Sequence, residues 1–332
     1  MARPVAQTLT AMETLLAIDG GGSRTRCLAI TREGRVIGSA ESGASNHLLV
    51  GIDVVEASLH EAINSALAQA GAKRTEAICV SAGLAGVDYD GNGAAEMERL
   101  LNRFGFAHTV INGDMVIAHV GALGSRPGVL ALAGTGSVIL GIGPDGERVK
   151  VGGWGPVYGD EGSAYQIARM ALIAAARAYD GRGPETSLLE AISQSLGLQD
   201  FRETVSRIYV QKMESREIAE LSRVTYETAE SGDRVAQGIF LHAAGDLAEA
   251  VGIAIRKLNL AGERLVSYQG SILSGCALVR ERFSELLQQE FPGIAIRAPR
   301  FAPVIGAYLL GCTALGWTFP VEQESNLRKI AV

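Results

Sequence analysis

Leu15-Leu16-Ala17-Ile18-Asp19-Gly20-Gly21-Gly22-Ser23-Arg24-Thr25-Arg26-Cys27-Leu28-Ala29-Ile30 reads as strand, glycine turn, strand. A short apolar run closes on one carboxylate, and three glycines and a serine follow. A second apolar run then begins, alternating enough for another strand. Three glycines let backbone N–H groups point into one concavity and let an anion come close to the chain. Asp19, at the strand end, is placed to hold a cation beside that anion. The turn lacks the Lys of a P-loop, and no helix follows at once, as a dinucleotide fold requires. Two readings stay open on this stretch alone: a phosphate loop of another kind, or an ordinary glycine-rich hairpin.

The chain on its C-terminal side extends this start into a domain. Thr31-Arg32-Glu33-Gly34 is a turn, and residues 35–40 form a third antiparallel strand. The polar loop Gly43-Ala44-Ser45-Asn46-His47 precedes a helix over 52–70, whose Val54, Ala57, Ala62 and Leu67 fall at helical spacing. Residues 77–82 form a strand of buried type ending in Gly83-Leu84-Ala85-Gly86, a turn where a ligand can sit. A helix over 94–104 and a strand over 109–111 lead to Asn112-Gly113-Asp114. Strands that alternate with helices after a meander make an α/β domain with a mixed sheet. Ligands of such sheets bind outside the carboxyl ends of the strands, and Asp19, Gly83 and Asp114 all follow strand ends.

The opening then recurs. Val129-Leu130-Ala131-Leu132-Ala133-Gly134-Thr135-Gly136-Ser137-Val138-Ile139-Leu140-Gly141-Ile142, with the turn Pro144-Asp145-Gly146, repeats strand, Gly-x-Gly-Ser, strand and turn at matching offsets. Asp19 aligns with Ala133, so the first copy alone carries the carboxylate. Apolar–glycine hairpins are common, but here the following turns align as well. Two related domains, each presenting a hydroxyl-bearing glycine hairpin, can face each other across a cleft and grip a polyphosphate from both sides.

Next comes Gly152-Gly153-Trp154-Gly155-Pro156-Val157-Tyr158-Gly159-Asp160-Glu161-Gly162-Ser163, ahead of a long helix that runs to about Tyr179. Five glycines in eleven positions are costly unless the backbone must bend around something. Asp160 reads as a helix N-cap or a binding group, and Trp154 as a core anchor or a binding group. Helices follow over 186–196, 199–213, 216–231 and 236–258, then a strand over 265–268 ending in Gln269-Gly270-Ser271. That small pair can pass under a flat ring such as adenine. A helix over 280–290, a strand over 294–297, a helix over 303–316 and a short polar helical tail from Val321 complete the chain.

Composition bounds the class of protein. The 332 residues suit two domains, and 47% hydrophobic with 20% charged residues is a soluble balance. A net charge of −6, no dense Lys/Arg cluster and 5% aromatics exclude a nucleic-acid platform. Cys27, Cys79, Cys276 and Cys312 are isolated in apolar runs without CxxC spacing, which argues for a reducing cytoplasm and against a zinc or iron–sulfur site. No apolar run reaches membrane-spanning length, so no membrane partner is expected. Residues 1–11 lack the apolar core of a signal peptide and read as a frayed tail. The expected domains are 12–119 with 321–332, and 120–320 with a helical insertion, hinged near 118–128.

From about Leu15 to Thr318 the chain resembles the N-acetylglucosamine kinase and BadF-type ATPase family, in the superfamily of actin, chaperone ATPases and hexokinases. Its motifs come in the family's order. Asp19-Gly20-Gly21-Gly22-Ser23 matches the first phosphate motif and Gly134-Thr135-Gly136-Ser137 the second. Gly153-Trp154-Gly155 with Gly159-Asp160-Glu161-Gly162-Ser163 matches the sugar-binding signature, the most specific of the set. Gly270-Ser271 falls at the adenosine contact and Asn46 at a sugar contact. The resemblance implies an α/β fold of two duplicated ribonuclease-H-like domains, an actin-like ATPase with ATP and an amino sugar in the interdomain cleft. It also implies an ATP-dependent amino-sugar kinase making the 6-phosphate, commonly as a homodimer. Asp114 matches the catalytic base and Asp19 the Mg²⁺ ligand. Gly21, Gly22, Ser23, Thr25, Thr135, Gly136 and Ser137 would bind phosphates, Gly270 and Ser271 the adenosine. Asn46, Gly153, Trp154 and Asp160 would line the sugar site.

One residue departs from the pattern. Val138 stands where the animal N-acetylglucosamine kinases carry an Asn that contacts the sugar, which makes glucosamine or another amino sugar an alternative to N-acetylglucosamine. Two rival functions remain at this level: an activator-type ATPase, whose iron–sulfur cysteines these isolated ones do not match, and a non-catalytic sugar-sensing protein. His47, next to Asn46, is placed to touch a substrate; the other four histidines read as packing or surface residues.

Overall fold

The computed structural model describes residues 13–87, 93–260, 264–318 and 321–330, so the expected tail over 1–11 lies outside them. The chain forms two compact units: the described part of Met1–Arg126 with Pro299–Val332, and Pro127–Ala298.

The first unit opens with the expected meander: β1 (Thr14–Gly20), β2 (Thr25–Thr31) and β3 (Val36–Ser42), paired antiparallel. Then follow α1 (His47–Val50), α2 (Ile52–Ala70), β4 (Ala77–Leu84), α3 (Gly93–Asn102), β5 (His108–Gly113) and α4 (Asp114–Leu123). β4 and β5 join as parallel strands, and the sheet order is β3-β2-β1-β4-β5. Of the four expected core positions of α2, Ala62 and Leu67 are buried and the first two are not. Val55, Leu59, Ala62, Ile63, Ala66 and Leu67 are buried, while Val54 and Ala57 face solvent. The larger Leu59 and Ile63 set the phase, because each contributes roughly 1.5–3 kcal/mol on full burial and an alanine far less.

The second unit repeats the plan. β6 (Gly128–Ala133), β7 (Ser137–Ile142) and β8 (Arg148–Gly152) form another antiparallel meander. A helical insertion follows: α5 (Ala164–Tyr179), α6 (Leu188–Leu196), α7 (Glu203–Val205), α8 (Ser215–Glu230) and α9 (Arg234–Lys257). The single helix expected over 199–213 is instead the short α7 and a π-helical turn over Ser206–Val210. β9 (Leu265–Gln269), α10 (Ser271–Gly275), α11 (Ala277–Glu290) and β10 (Ala295–Arg297) close the unit. The sheet order β8-β7-β6-β9-β10 matches the first unit strand for strand. The repeat seen in sequence is therefore a repeat of fold. α9 is long and apolar enough to cross a membrane, yet Ile239, Phe240, Leu247 and Val251 are buried in the core of this unit.

The chain then returns to the first unit with α12 (Pro303–Leu315) and α13 (Glu324–Leu327). This corrects the expected boundaries: residues 120–126 and α12 belong with the first unit, not the second. The reason is close helix packing. A Cβ on Gly306 would overlap the Ile117 carbonyl, and one on Gly121 would sit 2.7 Å from Ala302 O, so α4 and α12 meet backbone to backbone. The buried Tyr308 hydroxyl adds an anchor by donating to Thr31 O at 3.3 Å.

Candidate active site

In the first unit the glycine turn is closed by its own backbone. The Gly21 N–H donates to Arg24 O at 2.8 Å, and Gly21 O accepts the Ser45 N–H at 2.9 Å. Thr25 is fully buried; its hydroxyl donates to Gly43 O at 2.7 Å and shares a second bond of 2.8 Å with the Ser45 hydroxyl. These bonds engage two of the groups expected to contact phosphate. The Gly21 N–H is spent on Arg24 O within the turn, while Gly21 O and the Thr25 hydroxyl strap loop 43–46 to it. Gly22 and Ser23 are exposed at its tip and remain the groups that can meet an anion.

The strap fixes Asn46. Its Oδ1 caps α1 by accepting the Leu48 N–H at 3.1 Å, which leaves the amide NH₂ as the side that can donate to a ligand. Gly86 sits at φ +90°, in the left-handed region, and a Cβ there would lie 2.6 Å from Asn46 Oδ1. A side chain at position 86 would push Asn46 away, so the turn expected to accommodate a ligand instead accommodates Asn46.

Asp19 and Asp114 stand at the same edge of the sheet. Asp19 pairs with Gly83 across β1 and β4, Gly83 with Asn112 across β4 and β5, and Asp114 starts α4 two residues later. Two strand spacings put the backbones of Asp19 and Asn112 about 10 Å apart. The Asp114 Oδ1 accepts the Met115 N–H at 2.8 Å, which sets the carboxylate at the head of the helix. Burial first, and the charge of Asp114 second, push the Asp19 carboxyl up from 3.8 to about 6; Arg24 and Arg26 oppose this. Two carboxylates that raise one another's energy fit a divalent cation between or beside them. Mg²⁺ suits the donor set because it binds through one or two carboxylates and keeps waters or phosphate oxygens for its other positions.

In the second unit the turn after β6 is tied to the helix behind it. Gly134 N–H donates to Gly136 O at 2.9 Å, while Gly134 O and Thr135 O accept the first N–H groups of α5, from Ala164 at 2.8 Å and Tyr165 at 3.2 Å. Ser163 caps α5 by accepting the Gln166 N–H, so Ser163 and not Asp160 is its N-cap. Ser137, expected as a phosphate contact, is buried and donates to Glu161 O at 2.7 Å. Thr135 is exposed and keeps its hydroxyl at the surface of the turn.

Asp160 joins this turn to the glycine-rich loop. It accepts backbone N–H groups of Ser137 and Gly155 while burial, the largest influence, pushes its carboxyl above the ordinary range. Its φ of +59° is a strained conformation for an Asp, the kind retained at functional sites. Two accepted bonds leave further lone pairs for a ligand hydroxyl. Trp154 is 67% exposed and tilts against Tyr158 with ring centroids 6.4 Å apart, so the core-anchor reading does not hold. Val138 packs under the loop, 2.8 Å from where a Gly153 Cβ would be.

Gly270, at φ +93°, presses its backbone against Ala133 and Gly134, and a Cβ there would run into the Ala133 carbonyl. This closeness brings the expected adenosine residues to the second glycine turn. Thr135, Ala164 and Ser271 line one cleft of about 830 Å³, with α6 and α8 as its other wall. Sequence reasoning missed that wall, and it missed Gln269. Gln269 is 5% exposed, and its side-chain NH₂ has no hydrogen-bond partner among the described residues. A buried donor left unmade costs about 1–3 kcal/mol. Gln269 pairs with Leu132, so this donor stands beside the second glycine turn.

Comparison with known proteins follows the same line. The sequence pattern of the BadF/BadG/BcrA/BcrD ATPase family matches residues 16–311. An N-acetylmuramic acid/N-acetylglucosamine kinase of Clostridium acetobutylicum is 29% identical over 302 residues, 90% of this chain and 98% of its own. An N-acetyl-D-glucosamine kinase of Dictyostelium discoideum is 29% identical over 312 residues, 90% and 97% of the two chains. A crystal structure of a proposed N-acetylglucosamine kinase from Chromobacterium violaceum aligns with a TM-score of 0.71 at 25% identity, covering 91% of this chain and 99% of that one.

Proposed function

The chain belongs to the BadF/BadG/BcrA/BcrD ATPase family, and we propose that it is an ATP-dependent amino-sugar kinase acting on the 6-hydroxyl of N-acetylglucosamine or glucosamine. The observation that carries the reading is the duplicated glycine turn. Each unit presents one after the first strand of its own five-stranded sheet, and the first unit alone adds the carboxylates Asp19 and Asp114 at the strand ends. The relatives named as amino-sugar kinases over nine-tenths of the chain support it.

Phosphoryl transfer is mostly positioning and charge neutralisation. Asp114 accepts the proton of the sugar hydroxyl as its oxygen attacks the γ-phosphorus; the bond from that phosphorus to the β–γ bridging oxygen breaks, and ADP leaves with the electron pair. Ser23, Thr135 and the exposed N–H groups of the two turns hold the phosphates, and Gln269 donates one more bond. Asp19 would hold Mg²⁺, whose chemistry there is neutralisation of phosphate charge. Asn46 donates to the sugar, Asp160 accepts from its hydroxyls, and Trp154 covers its apolar face. Such an enzyme, with four buried free cysteines, suits the reducing and ATP-rich cytoplasm.

The test is a coupled ADP-release assay with Mg²⁺-ATP against N-acetylglucosamine, glucosamine, N-acetylmannosamine, N-acetylmuramic acid, glucose and no sugar. The expected result is turnover that depends on one amino sugar. ADP release unchanged by any sugar overturns the kinase reading and leaves an ATPase. Preference for glucosamine over its acetylated form would assign the departure at Val138 to a lost acetamido contact.

A further inference from the structure

α8 carries Arg216, Glu220, Arg223 and Glu227 at spacings of four, three and four, so they share one helical face. Its opposite face, with Ile218, Leu221, Thr225 and Ala229, is buried. A charged face on an amphipathic helix is ordinarily solvated. This one fronts the cleft of about 830 Å³ whose other wall holds Thr135 and Ser271, residues of two separate glycine motifs. Arg223 Nε donates to Glu227 Oε1 at 3.1 Å, with the two side chains 85% and 60% exposed. An ion pair that exposed adds little stability. What it does supply is a guanidinium at the mouth of a cleft, bonded through its Nε to Glu227.

Resting on the kinase reading above, we propose that α8 is the nucleoside-reading wall of the site. Arg223, oriented by Glu227, lays its guanidinium over the base of the bound nucleotide. The chemistry favours this assignment. A guanidinium is planar and stacks on aromatic faces, where an ammonium acts only as a point charge. Glu227 holds that plane through a bond along the helix and so acts as a positioning residue. The stack covers more area on a purine than on a pyrimidine, so the pair gives a preference for ATP and GTP over CTP and UTP.

The experiment compares the wild type with Arg223→Ala and Arg223→Lys, measuring KM for ATP and CTP, KM for the sugar, and the thermal upshift that each nucleotide gives. The wild type should prefer ATP over CTP. Arg223→Ala should raise KM for ATP about tenfold and narrow the ATP-to-CTP ratio, with KM for the sugar and kcat within about twofold. Arg223→Lys keeps the charge but not the plane and should recover only a minor part. Equal wild-type affinity for ATP and CTP, an unchanged KM for ATP in Arg223→Ala, or full rescue by Lys would each overturn the proposal. The thermal upshift reads nucleotide binding without turnover. If no sugar is phosphorylated, the kinase reading fails while the Arg223 assignment is still decided.

Discussion

Replacing Asp19 by Asn should make the protein more stable and inactive, and the size of the gain can be worked out. Burial and the Asp114 charge move the Asp19 carboxyl from 3.8 to about 6 in the folded chain. Each pH unit of that displacement is about 1.4 kcal/mol, so keeping Asp19 ionised in the ligand-free fold costs about 3 kcal/mol. The sign follows from proton binding. The folded state holds this proton more tightly than the unfolded state, so the Asp19 contribution is most favourable below about pH 4. It is lost as pH rises through 6 and stays constant above that. Asp19→Asn removes the titration, so the variant should exceed the wild type by up to about 3 kcal/mol at pH 8 and by almost nothing at pH 4.

The assay is urea unfolding from pH 4 to 8 in a Trp154→Phe background. Trp317, the remaining tryptophan, packs against the core of the first unit and reports on that unit. Taking the difference between variant and wild type cancels the other titrating groups. A difference that is flat with pH, or a variant less stable than the wild type at pH 8, would refute the electrostatic account. Mg²⁺ with ADP should stabilise the wild type more than the variant, because the cation reverses the penalty that Asn lacks.

Other expectations can be measured on the same protein. Asp114→Asn should lower kcat at least about a hundredfold with KM for the sugar little changed; near-normal turnover would remove Asp114 as the base. Thr25→Val breaks the buried bonds to Gly43 and Ser45 and should cost about 1–2 kcal/mol in urea unfolding. Were Thr25 a phosphate ligand alone, stability would not move and KM for ATP would. Trp154→Ala removes an exposed ring, so stability should stay within about 0.5 kcal/mol. KM for the sugar should rise several-fold while KM for ATP holds.

The parts of the molecule legible in the sequence are those decided by neighbours along the chain. The strand–glycine–strand pattern and its recurrence at Gly134 are local turn chemistry, and both hairpins form where they were expected. Asp19 and Asp114 were legible because strand ends define a sheet edge. The destination of the buried hydroxyls was not. Thr25 and Ser137 sit in phosphate motifs, and only tertiary packing shows that their bonds go to Gly43 and to Glu161. The place of α12 was hidden for a similar reason. Gly306 and Gly121 mark a close approach, but a glycine does not name its partner, and the partner lies about 180 residues away. The charged face of α8 was visible in principle at four-three-four spacing, yet such a face becomes a site only when a cleft stands before it.

The asymmetry between the two turns has a physical cause that the repeat conceals. Asp19 aligns with Ala133, and the structure explains why the second copy holds no acid there. Ala133 is fully buried within the apolar core of its unit. Gly270 presses against its carbonyl. A carboxylate at 133 would be an unpaired charge in that core, at a cost of several kcal/mol. Asp19 instead lies beside Arg24 and Arg26, which temper its burial, and faces Asp114 across β4. Duplication of the fold thus permits two glycine turns but one carboxylate pair. The unit that packs Gly270 against its turn has no room for a carboxylate at that strand end, and the unit that keeps the carboxylate pair sets Gly86 against Asn46 instead. The asymmetry of the two turns follows from which backbone leans on which strand end.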